Sequence, residues 1–109
     1  MFGDTKAFSG FAVPDIDEAE RFYGETLGVT TERGEMGMLV LKLAGGRDTL
    51  VYPKPDFVPA TYTILNFPVD DVDAAVDELT SRGLEIERYD GFEQDDKGIA
   101  RGNGPNIAW

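Results

Sequence analysis

The sequence predicts an α+β fold, built from the same strand–helix–strand–strand–strand (βαβββ) module twice over, with the last strand of the second copy missing. Three observations carry this. Residues 8–19 echo residues 64–75 at a constant offset, each echo runs strand, cap, helix and stop, and apolar alternation of period two resumes after each stop. In the echo Phe11 matches Phe67, Val13 matches Val69, Asp15 matches Asp71 and Ala19 matches Ala75, while Gly28 answers Gly83 one deletion later.

The first strand is predicted over residues 6–13, with Phe11 and Val13 on one face and Phe8, Gly10 and Ala12 on the other. Asp15 is a good N-cap because its carboxylate can accept from the free N–H groups of a first turn, and Glu18 completes the pattern of a capping box. Ile16, Ala19, Tyr23 and Leu27 then recur at helical spacing, and Gly28 stops a helix of about 15–27. Val29–Arg33 is a short strand, and Met38–Leu43 a longer alternating one. Gly45-Gly46 marks a hairpin turn into Thr49–Tyr52. Pro53, Pro55 and Pro59 bar the next stretch from a central strand, so about 53–60 reads as a linker between module 1 (about 6–54) and module 2 (about 61–109).

In module 2 a strand is predicted over residues 61–69, with Leu65, Phe67 and Val69 opposite Tyr62, Ile64 and Asn66. Asp71 caps a helix of about 71–82 carrying Val72, Ala75, Val76 and Leu79, and Gly83 ends it. Leu84–Tyr89 is predicted as a strand, Gly91–Gly98 as a polar loop, and Ile99–Arg101 and Asn106–Trp109 as short strands. Gly102-Asn103-Gly104-Pro105 reads as a turn, since no helix follows it to cradle a phosphate. A counterpart of Thr49–Tyr52 is absent.

A 41% hydrophobic, 28% charged chain with no long apolar run is an ordinary globule of one domain, 1–109. The N-terminus lacks a signal peptide's layout and there is no cysteine to cross-link, which implies a cytoplasmic address. Net charge of −11 repels phosphate backbones and anionic lipid, so nucleic acid and membrane are poor partners. The same field favours a cationic ligand, or serves solubility alone. The absence of histidine removes the commonest metal ligand and the usual neutral-pH acid and base. Serine or cysteine nucleophiles paired with histidine are excluded with it.

Phe11-Ala12-Val13-Pro14-Asp15-Ile16 followed by Phe22-Tyr23 and Leu27-Gly28, and Leu65-Asn66-Phe67-Pro68-Val69 followed by Arg82-Gly83, resemble the glyoxalase/bleomycin resistance/dioxygenase (vicinal oxygen chelate, VOC) superfamily over nearly the whole chain. The resemblance implies a U-shaped mixed sheet around a cavity. It also implies metal ligands early in the first strand of each module and on the last, which here fall on Phe8, on Ile64 and near Leu50–Tyr52. Phe8 and Ile64 offer a metal no lone pair, the stretch Leu50–Tyr52 offers no carboxylate, and the fourth place lies beyond Trp109, so no metal and no cofactor are expected. Family members continue through a turn into a final strand, so a tail of about 10–20 further residues is expected.

The cavity implied by the resemblance is lined by Phe8, Gly10, Tyr62, Ile64 and Asn66, with Tyr52 and Trp109 as further ligand-binding candidates. Asn66 either orients a ligand by donating and accepting hydrogen bonds or is satisfied by neighbouring backbone. Lys54 and Arg101 read first as solvated side chains. The leading functional expectation is metal-independent binding or sequestration of an unidentified small molecule, as in bleomycin resistance, by a homodimer. The alternatives are a lyase, isomerase or dioxygenase with a non-standard site, and an interaction module with a vestigial cavity; catalytic residues stay unassigned.

Overall fold

The computed structural model describes residues 1–102 and 104–109, and the chain forms two compact units, residues 1–65 and 66–109. The expected turn at 102–105 includes Asn103, which lies outside the described residues.

In the first unit, β1 (Ser9–Val13) leads into α1 (Ile16–Glu20), capped as the sequence indicates: Asp15 Oδ1 accepts from the backbone N–H groups of Asp17 at 2.9 Å and Glu18 at 3.2 Å. The reciprocal half of the capping box, from Glu18 back to the Asp15 backbone, is not made. From Arg21 to Thr26 the helix widens to a π-helical turn, in which the Leu27 N–H reaches the Phe22 carbonyl at 2.9 Å. Gly28, at φ +74°, then turns the chain. Three strands follow: β2 (Thr30–Arg33), β3 (Leu39–Leu43) and β4 (Arg47–Pro53). Gly45 and Gly46, at φ +85° and +71°, supply the left-handed backbone of the β3–β4 hairpin.

The sheet order is β1-β4-β3-β2, with β1 parallel to β4 and the other pairs antiparallel. Phe11 pairs with Val51 and Val51 with Leu39, so these share one face. Leu39, Leu41 and Val51 are fully buried with Ala19 of α1, and Phe11, Val13, Ile16, Tyr23, Val29, Leu43 and Leu65 pack around them. Tyr23 lies 5.8 Å from the Phe11 ring, and burial pushes its phenol pKa up.

In the second unit α2 (Val72–Ser81) is capped by Asp71, whose Oδ1 accepts from the Ala74 N–H at 3.0 Å, and Gly83 follows at φ +87°. The strands expected at 61–69 and 84–89 do not form. Strands exist only as ladders, and the cause differs at each place. In the first unit β1 is an edge strand paired with β4; among the described residues of 66–109 no strand equivalent to β4 is present, and residues 60–70 make no backbone–backbone hydrogen bond with any described residue. At 84–89 a side chain takes the ladder's place. Gln94 accepts from the Tyr89 N–H at 2.8 Å and donates to the Glu87 and Gly98 carbonyls at 2.8 and 2.9 Å. The short strands expected at 99–101 and 106–109 are reduced to bridges joining Ala100 to Gln94 and to Ile107. Val76 and Ile99 form the small buried core of this unit. Among the described residues, no helix is long and apolar enough to cross a membrane.

Candidate functional site

A four-stranded sheet with a helix on one face has a second face to account for. Strand alternation assigns Gly10, Ala12, Leu50, Tyr52, Val40 and Lys42 to it, since Gly10 pairs with Leu50, Leu50 with Val40, and Ala12 with Tyr52. A solvated antiparallel face is normally polar. Here the β1–β4 half is apolar and half-buried: Ala12, Leu50 and Val40 are intermediate in exposure, and Tyr52 offers a hydroxyl at its border. The charges gather at the opposite end, where Lys42 pairs with Asp48 at 2.9 Å and Glu32 at 3.8 Å. Both carboxylates hold the Lys42 pKa up, Asp48 the more strongly through its hydrogen bond.

Of the residues singled out from the sequence, Gly10 and Tyr52 lie on this face. Gly10 has a packing reason to be glycine, because a Cβ there would sit 2.9 Å from the Leu50 carbonyl oxygen. Phe8 stands one residue before β1, 70% exposed. Tyr62 and Ile64 are also exposed, 75% and 46%, in the extended segment that lacks a ladder. Asn66, in the second unit, is exposed and makes no side-chain hydrogen bond among the described residues. Trp109 packs against Tyr89 and Phe92 of its own unit. Lys54 pairs with Asp56 at 2.6 Å, and Arg101 is held by Asp73 at 2.6 Å and Asp95 at 2.9 Å. Both cations pair with neighbouring carboxylates.

Sequence reasoning missed Leu50 and Val40 on the open face, and Tyr89 and Phe92 beside Trp109. The parity of β3 and β4 was sufficient to find the first pair. The second pair gave only a weak signal, two aromatics in a polar loop. The second unit also contains a groove of about 570 Å³ between α2 and the stretch after it, lined by Val76, Thr80, Leu84 and Ile86 with charged residues at its rim. Among the described residues, no group of three or more His, Cys, Asp or Glu side chains is placed to hold a metal ion.

Residues 7–91 match the profile of the "Glyoxalase/Bleomycin resistance protein/Dioxygenase superfamily". Solved structures share the fold at low identity. A glyoxalase/bleomycin resistance protein/dioxygenase from Alicyclobacillus acidocaldarius is 17% identical, with TM-score 0.57, covering 85% of each chain. A glyoxalase family protein from Enterococcus faecalis is 22% identical, with TM-score 0.57, covering 88% of this chain and 83% of its own. A lactoylglutathione lyase from Agrobacterium tumefaciens is 21% identical, with TM-score 0.50, covering 95% of this chain and 91% of its own. No curated protein matches the chain.

Proposed function

Because the chain belongs to the glyoxalase/bleomycin resistance/dioxygenase superfamily, we propose that it is a small-molecule binding protein that works without a metal. The observation that carries this reading is the apolar half of the open sheet face. Ala12, Val40 and Leu50 leave hydrocarbon partly in water where polar side chains would cost nothing, and Tyr52 offers one hydrogen-bonding group beside them. A concave or flat apolar surface with a sparse polar border suits an apolar or aromatic compound.

The metal chemistry found elsewhere in the superfamily does not fit these residues. The places that the resemblance assigns to ligands hold the benzyl group of Phe8 and the sec-butyl group of Ile64, and neither has a lone pair to donate. With no histidine or cysteine in the chain, only carboxylates remain, and no suitable trio of them is present among the described residues. No reaction step is therefore routed through a metal here.

A thermal-shift screen of apolar and aromatic compounds tests the reading, since a compound that binds only the folded state raises its melting temperature. Leu50→Lys puts a charge in the middle of the face and should abolish any shift found with the wild type. An undiminished shift would place the ligand elsewhere.

We also propose a homodimer. Residues 60–70 carry unpaired backbone groups, and the run from Phe57 to Val69 has no charged side chain, so two copies could approach there without the repulsion that a net charge of −11 imposes elsewhere. A monomer by light scattering at high concentration would refute it.

A further inference from the structure

The aromatic cluster of the second unit carries an inference of its own, resting on that unit alone and independent of the open face of the first. Trp109 is flanked by two rings. Tyr89 meets it at 5.5 Å with planes at 87°, and Phe92 at 5.0 Å and 53°. Two of the three are tied through the backbone: the Glu87 N–H donates to the Trp109 carbonyl at 2.7 Å, and Gln94 accepts from the Tyr89 N–H. Yet the cluster is not a core. Phe92 is 56% exposed and Tyr89 48%, and Trp109 is only partly covered.

The charge around the rings is one-sided. Residues 66–109 carry eleven acidic and four basic side chains, a net of −7. Three of the basic ones are paired with carboxylates, Arg82 with Glu78, Lys97 with Asp77 and Arg101 with Asp73 and Asp95, while Arg88 donates to the Asp96 carbonyl. Glu87, Asp90 and Glu93, which flank the rings in sequence and are exposed, have no ion-pair partner among the described residues. Ring faces attract cations through their quadrupole, and unneutralised carboxylates add a longer-range field of the same sense. A neutral apolar ligand would gain nothing from the carboxylates, and an anion would be repelled.

We propose that Tyr89, Phe92 and Trp109, with the carboxylates of Glu87, Asp90 and Glu93, form a binding site for an organic ammonium ion. The cation rests against the rings, and the carboxylates hold it there without displacing its alkyl groups from the aromatic surface. No covalent step is involved.

Trp109 is the sole tryptophan, so emission excited selectively at tryptophan reports on this site alone. The experiment titrates the protein with choline and, separately, with its neutral carbon isostere, in which a tert-butyl group replaces the trimethylammonium. Choline should change the emission saturably, and the isostere should not. Phe92→Ala should weaken choline about three- to fivefold, the worth of one exposed ring. Glu87→Gln with Glu93→Gln should weaken it too and flatten its salt dependence between about 0.05 and 0.5 M. Those side chains are exposed and their removal spares the fold, which makes the charge variant decisive if Phe92→Ala unfolds. A linear response, equal responses to the two compounds, or choline binding unchanged in the charge variant would overturn the proposal.

Discussion

Gly98 occupies a position that no other residue fits. Its φ is +88°, and a Cβ there would lie 2.6 Å from Cγ2 of Ile86, well inside contact distance. The turn it closes is organised by Asp95, whose Oδ1 accepts from the Lys97 and Ile99 N–H groups at 3.0 and 2.9 Å, while the Gly98 N–H returns to the Asp95 carbonyl. Gly98→Ala should therefore destabilise the protein by about 2 kcal/mol, strain and clash together, read as a drop in the denaturant midpoint at constant slope. The Ile99 N–H, followed by the Arg101 guanidinium, holds the Asp95 carboxyl below the usual carboxylate range, and Arg101 does the same for Asp73. A depressed folded-state pKa means stability that is fully present above the unfolded value near 4 and lost as pH falls through the folded one. NMR titration should find both carboxyls still ionised when ordinary aspartates are half protonated, and Arg101→Gln should bring both back toward the usual range. The interest of Gly98 was invisible in the sequence, where it closes a loop with five other turn-forming or charged residues; its constraint comes from Ile86, a contact only the fold creates.

Both helices were legible because their signals are local. Asp15 and Asp71 cap them, Gly28 and Gly83 end them, and the apolar spacing between needs no knowledge of distant residues. Asp15→Ala should cost about 1 kcal/mol, the loss of one cap, with α1 fraying first in hydrogen exchange. Strands were legible only where the chain also supplies their partners. Residues 39–43 and 47–53 alternate and pair through a hairpin, and β1 finds β4 within the same unit. Residues 61–69 alternate just as clearly, yet alternation describes a face and not a ladder, and among the described residues they find no backbone partner. The segment 84–89 failed for a subtler reason, the Gln94 side chain standing in for a neighbouring strand. Gln94→Ala removes three hydrogen bonds at once and should loosen 87–99, seen as faster amide exchange at Tyr89 and Ile99.

At the scale of the whole molecule, the core that positions the open face is small. Leu39, Leu41, Val51 and Ala19 are its buried centre, and Leu41→Ala should remove about 2–5 kcal/mol, a large share of what a domain of this size commands. The family could be read from the paired motifs around Asp15 and Asp71, because they encode the fold. The open face could be read only in part. Gly10 and Tyr52, and by the same parity Leu50 and Val40, could be assigned to it, whereas their lying side by side follows only from the register Leu50↔Val40. What the sequence states most directly about chemistry is negative: the chain has no histidine and carries Phe8 and Ile64 where the family resemblance implies ligands, and the proposed reading is that it binds through hydrocarbon, rings and charge. The most direct measurement of that claim is a ligand thermal-shift screen run twice, once with excess chelator and once with added zinc or manganese. The account predicts hits whose shifts are the same in both, whereas hits that appear only with the metal, at one ion per chain, would contradict it.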